Sequence, residues 1–215
     1  MASVSRVVVF VDAQNFYRSA RRAFFDDAVD PYRLGQFHPR ALGGLLCSRD
    51  SGRSLTAVRL YTGRPDAYLQ PAAYRANVRQ CEAWEEAGCY VFARQLRYPH
   101  GWPDNPSGQG PQEKGIDVRM ALDIALLAHQ GEYDVAIVCS GDTDLFPAVE
   151  EGPSGALSAS ASSDSGRWAG SGSSVVVVST PGSEQAHAAT GQASWGSAAS
   201  RFVSQAAPGP VPVRI

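Results

Sequence analysis

Asp142 and Asp144 stand two positions apart in Ser140-Gly141-Asp142-Thr143-Asp144, directly after the apolar run 133–139. An unbroken apolar run followed by Gly and Asp reads as a buried strand that stops at a tight turn. A second construction of this kind opens the chain, where Val7-Val8-Val9-Phe10-Val11 runs into Asp12-Ala13-Gln14-Asn15. Carboxylates at strand ends put oxygen ligands on the carboxyl edge of a sheet, where α/β folds bind their ligands. Hard divalent cations take such oxygens. The chemistry expected of these residues is therefore a metal ion, with a phosphate-bearing substrate upon it.

The elements that must position these acids alternate. Strands are expected at 5–12, 55–61, 89–93 and 133–139, and helices at 14–27, 38–49, 68–87 and 115–130, with a further helix beginning near Asp142. Gly88 is a typical helix stop, and the Pro- and Gly-rich stretch 99–111 reads as a loop on the acidic edge. Regular alternation of this kind predicts an α/β fold, a three-layer sandwich with a mostly parallel central sheet. In a doubly wound sheet the first and fourth strands are commonly neighbours. That would bring Asp12 and Asn15 beside Asp142 and Asp144, with Asp117 on the same edge in the first turn of its helix. Such a concentration of carboxylates repels itself unless a cation is present.

Bulk composition excludes some classes. The chain has 215 residues and a formal net charge of −2, so it carries no global attraction for nucleic acid. Lys114 is the sole lysine and precedes the Asp117 helix, where it could contact phosphate. Arg18, Arg21 and Arg22 are expected on a solvated helix face. Cys47, Cys81, Cys89 and Cys139 lack CxxC spacing and read as reduced, buried thiols. Neither a signal peptide nor a membrane-length apolar run is visible, which points to a cytoplasmic protein. The histidines show no ligand spacing; His100, near Trp102 on the long loop, could stack on a base, though a plain surface role is expected.

Three motifs in order make the chain resemble the NYN domain family of the PIN-like nuclease superfamily: Phe10-Val11-Asp12-Ala13-Gln14-Asn15, Lys114-Gly115-Ile116-Asp117 with Ala121-Leu122-Asp123, and Ser140-Gly141-Asp142-Thr143-Asp144-Leu145. The resemblance implies a Rossmann-like, PIN-like domain over about 1–151, an Mg²⁺ or Mn²⁺ site and endoribonuclease activity on RNA, expected to be single-stranded. Asp12, Asp117, Asp142 and Asp144 then stand as the metal-holding catalytic acids. Asn15, Lys114 and Ser140 are the substrate-side groups. The family pattern also carries an acid at Asp123, but six helical residues beyond Asp117 is about 9 Å from the edge. Asp123 is thus expected behind the ligands or simply paired with an arginine.

Each acid has a plainer reading, since Asp is common at helix caps and turns. The rival functions are a metal-dependent phosphatase or DNA nuclease, since nothing in the sequence reads a 2′-OH, a non-catalytic RNA- or partner-binding module, and an inactive protein with an aberrant C-terminal third. The last follows from composition: residues 152–215 contain fifteen serines, twelve alanines and nine glycines, too few large apolar groups for a core. An abrupt change of this sort fits a translational frameshift near residue 152. Val175-Val176-Val177-Val178 is the exception and is expected to add an edge strand, with 152–173 a flexible insertion and 181–215 largely disordered.

Overall fold

Val7, Val9 and Val11 point to one side of the first strand and Val8 and Phe10 to the other, and all five are buried. A strand apolar on both faces must lie between two layers, and this one does. In the computed structural model, which describes residues 4–26, 28–104, 108–140, 145 and the strand 174–179, β1 (Ser5–Asp12) is the centre of a five-stranded sheet. Its neighbours are β2 (Arg53–Arg64) and β4 (Val135–Ser140), both parallel to it. β3 (Tyr90–Gln95) continues the parallel sheet beyond β2, and β5 (Ser174–Ser179) pairs antiparallel with β4 at the opposite edge. The order is β3-β2-β1-β4-β5.

One face is covered by α4 (Ile116–His129), whose Ile116, Met120 and Ile124 pack with Val8, Phe10, Tyr61 and Val138. The other face takes α1 (Ala13–Phe24), α2 (Pro39–Cys47) and α3 (Pro71–Glu86) through Ala13, Leu46 and Trp84. Phe16, Phe37 and Trp84 form a run of ring contacts across that layer, with centroids 4.7 and 6.2 Å apart. The three-layer α/β sandwich is the expected architecture.

Two local expectations are corrected. α1 ends at Phe24 instead of continuing to residue 27, because Phe25 is extended and its N–H closes onto the Arg21 carbonyl. Arg21 does not lie on a solvated face. It is 3% exposed, and its guanidinium donates to the carbonyls of Asp30, Pro31 and Leu34 at 3.1, 2.7 and 3.2 Å. It also lies near the rings of Tyr32 and Phe25, so it fastens the loop after α1 back onto the helix.

β2 and β3 also run further than their apolar cores. Thr62, Gly63 and Arg64 pair with Ala93, Arg94 and Gln95 past the end of the valine- and leucine-rich segment. This extension carries the Gly63 backbone beyond Asp12, which pairs with Tyr61, and out to the carboxyl edge. The helix expected near Asp142, the insertion 152–173 and the segment 181–215 lie outside the described residues.

Candidate active site at the carboxyl edge of the sheet

The pairing of Val11 with Cys139 sets the ends of β1 and β4 side by side, so Asp12 and Ser140 leave the sheet together. This is the point where the winding reverses: β1 connects to β2 on one side and lies against β4 on the other. Crevices of α/β sheets form at such points. Both residues are buried, at 5% and 7% exposure.

Asp12 is also the N-cap of α1. Its Oδ1 accepts the Asn15 N–H at 3.0 Å, the ordinary cap bond that satisfies one of the helix's open donors. A carboxylate has several acceptor positions, so capping and ligand binding are compatible roles for one group. The Asn15 side-chain oxygen accepts the Ser19 hydroxyl at 3.4 Å.

Asp117 lies in the first turn of α4, whose N-cap is Gly115 at φ +75°. Only a residue without Cβ adopts this left-handed turn readily. A Cβ there would also stand 2.6 Å from the Arg94 guanidinium, so the glycine lets Arg94 reach across from the end of β3 to the start of α4. Lys114 is exposed beside it.

Glu113 is a member of this group that motif reasoning did not single out. Its carboxylate accepts the Gly63 N–H at 2.5 Å, where β2 has run past the apolar sheet. Burial pushes the Glu113 carboxyl above its ordinary range; the Gly63 N–H bond and Arg18 pull it back, and the charge of Asp117 pushes it further up. Glu113 and Asp117 are thus within electrostatic reach of each other and of Arg18 from α1. The available sequence signal was its place at the end of the long loop, four residues before Asp117.

Asp123 occupies a different environment. It is buried beneath α4 and accepts the Tyr61 hydroxyl at 2.9 Å, the Arg59 guanidinium at 3.2 Å and the Arg119 guanidinium at 2.9 Å. Arg59 in turn lies 3.8 Å from the Tyr90 ring centroid and Arg119 5.1 Å from that of Phe92. The group joins α4 to β2 and β3. Burial, reinforced by Asp123 and only partly countered by Arg59, drives the Tyr61 hydroxyl well above the usual phenol range, so it remains a donor.

Asp142 and Asp144, with Gly141 and Thr143, lie outside the described residues. Leu145 is described and is buried in the core on the α4 side. Among the described residues, no group of three His, Cys, Asp or Glu side chains is placed to hold a metal ion. His38 caps α2, its Nδ1 accepting the Ala41 N–H at 3.3 Å. All four cysteines are free and buried.

The fold is a Rossmann-like α/β sandwich with buried Asp12 at the switch point of its sheet and Asp117 in the first turn of α4. The chain matches the NYN domain model over residues 6–153. It belongs to the NYN domain family, a group of PIN-like nucleases. No match is found among curated proteins or solved structures. No helix among the described residues is long and apolar enough to cross a membrane.

Proposed function

We propose that the protein is a metal-dependent endoribonuclease that hydrolyses RNA phosphodiester bonds at the edge formed by Asp12, Asp117, Asp142 and Asp144. The observation that carries this reading is the placement of buried Asp12 at the β1/β4 switch point in a member of a nuclease family.

The donor chemistry fits a hard divalent cation, Mg²⁺ or Mn²⁺. Glu113 and Asp117 raise each other's electrostatic cost in a partly buried setting where one backbone N–H and Arg18 are the counterweights. Oxygen donors under such repulsion are what these ions bind. The described acids alone do not complete a ligand group, so the proposed set draws on Asp142 and Asp144 as well. When bound, a cation of this kind lowers the pKa of its water and polarises a phosphodiester.

The chain's own groups perform the rest. Asp12 is held in one orientation by its bond to the Asn15 N–H. The Gly63 N–H fixes the carboxylate of Glu113. Arg18, Arg94 and Lys114 are exposed at this edge and supply positive charge for the substrate backbone, which binds largely through such contacts.

The test is cleavage of labelled single-stranded RNA by purified protein with and without Mn²⁺. Asp12→Asn and Asp142→Asn should each lower the rate by at least about two orders of magnitude, as expected when a group fixing metal geometry is lost. Wild-type binding without cleavage would instead support a non-catalytic RNA-binding module. Undiminished cleavage by both variants would overturn the assignment of these acids.

A further inference from the structure

The turn that leaves β2 is held more tightly than its exposure requires. Asp66 accepts the N–H groups of Tyr68 and Leu69 at 2.8 and 3.0 Å and the Gln95 side-chain amide at 2.5 Å. Its own N–H donates to the Tyr98 hydroxyl at 2.8 Å, and that hydroxyl donates to Gln70 at 2.7 Å. Tyr98 in turn packs edge-on against Trp102, centroids 5.1 Å apart. The turn, the end of β3 and the start of the long loop are therefore one hydrogen-bonded unit.

That unit presents Tyr68 to solvent at 94% exposure, with Leu69 beside it at 46%. Its backbone is fixed, while its ring is the most open large apolar group among the described residues. It lies at the carboxyl edge of the sheet, the edge that carries Asp12 and Asp117. Arg18, Arg94, Arg97 and Lys114 are exposed along this edge.

An exposed aromatic ring and exposed cations on one edge suit single strands: bases stack on such a ring and the phosphates meet the cations. A duplex keeps its bases stacked inside and gives the ring nothing to cover.

We propose that Tyr68 is a base-stacking subsite that holds an unpaired nucleotide of the substrate strand, flanking the bond at the acidic edge. This deepens the endoribonuclease reading and rests upon it. Loss of the ring affects strand binding and leaves the acids in place, so its signature is in KM and not in the chemical step. A ring fixed on a pre-formed turn loses little freedom on stacking. Trp102 is already engaged with Tyr98, which makes Tyr68 the open platform of the pair of loops.

The experiment measures binding of a fluorescent single-stranded RNA oligonucleotide, a blunt-ended fully paired RNA duplex and inorganic phosphate to wild type, Tyr68→Ala and Tyr68→Phe, with cleavage kinetics in parallel. The expected result is weaker single-strand binding by Tyr68→Ala, about 5- to 150-fold for one lost stack. Tyr68→Phe should restore binding, and duplex and phosphate binding should not change. In cleavage, KM should rise with kcat preserved. Equal single-strand binding by wild type and Tyr68→Ala would overturn the subsite while leaving the nuclease reading intact. Equal losses for duplex and single strand, or failure of Tyr68→Phe to restore binding, would also overturn it. Absence of any RNA binding by the wild-type protein would overturn both.

Discussion

Removing the Asp123 carboxylate should destabilise the fold without acting through the site. Asp123→Ala leaves the Tyr61 hydroxyl, buried and still protonated, without its acceptor. It also leaves two guanidinium groups without their carboxylate. Breaking a buried charge pair from one side costs about 3–5 kcal/mol. Here the figure is reduced, because the Arg119 side chain is 43% exposed and rehydrates readily. Arg59 keeps its place over the Tyr90 ring. The Tyr61 hydroxyl and the Arg59 bond remain, at about 1–3 kcal/mol for an unsatisfied buried polar group. A loss of about 2–4 kcal/mol is therefore expected, read as a lower urea midpoint with unchanged slope. Asp123→Asn should lose less, since one amide oxygen still accepts from Tyr61. Under conditions where both proteins are folded, RNA cleavage by Asp123→Asn should exceed that of Asp12→Asn. A loss below about 1 kcal/mol for Asp123→Ala would refute the argument that this network ties α4 to the sheet. Cleavage abolished equally in Asp123→Asn and Asp12→Asn would show that Asp123 serves the site.

Glu113→Gln should raise stability at neutral pH. The folded-state carboxyl is shifted upward, so in the wild type stability is greatest below the ordinary Glu range and is lost as pH rises through the folded value; the Gln variant's advantage in chemical unfolding should vanish at acid pH, and an advantage independent of pH would contradict this. Asp134 has the opposite sign: its hydrogen bonds with Arg6 hold the carboxyl below the usual range, so Asp134→Asn should lose stability at neutral pH and converge with wild type as pH falls below the ordinary Asp value. Gly63→Ala should displace buried Leu96, the nearest neighbour of the new Cβ, and Glu113, whose Oε1 would lie 2.6 Å from it, and destabilise the fold by about 1–3 kcal/mol as an overpacked core site does; wild-type stability and cleavage would show that the edge tolerates the methyl. Millimolar Mg²⁺ or Mn²⁺ should raise the melting temperature, since a ligand at a hundredfold excess over its dissociation constant contributes about 2.7 kcal/mol, and an unmoved melting curve would count against the metal site.

The parts of the fold that were legible in the amino-acid sequence are those whose signal is local. β1 and β4 are unbroken apolar runs because both of their faces are covered, and their ends fall close to the expected positions. The break at Gly88 is legible for a similar reason: it adopts a left-handed conformation that other residues avoid. Arg21 was misread because its partners are carbonyls of a loop that follows it, and a carbonyl has no sequence signature. The extension of β2 was hidden because Thr62-Gly63-Arg64 ends the apolar pattern, although the backbone ladder continues to Gln95. Glu113 was missed for the same reason. What makes it part of the acidic edge is the Gly63 N–H, a backbone group that appears there only once β2 is extended.

These two oversights have one cause, and it bears on how the edge works. The strands that hold Asp12 and Ser140 end where their apolar runs end, so the switch point itself is built by hydrophobic burial. The β2–β3 pair instead projects past that level on its backbone ladder, helped by side-chain bonds of Asn77 and Glu113 with the Gly63 backbone. The same extension fixes Glu113 through Gly63, brings Arg94 against Gly115, and anchors the Asp66 turn through Gln95. Glu113 is partly buried there, with Leu96 packed beside Gly63, and its carboxylate is offset by the Gly63 N–H and the charge of Arg18. The projecting ribbon therefore couples the acidic edge to the Tyr68 turn: a change at Gly63 that shifts Glu113 should also loosen the Gln95–Asp66 bond one residue along the neighbouring strand.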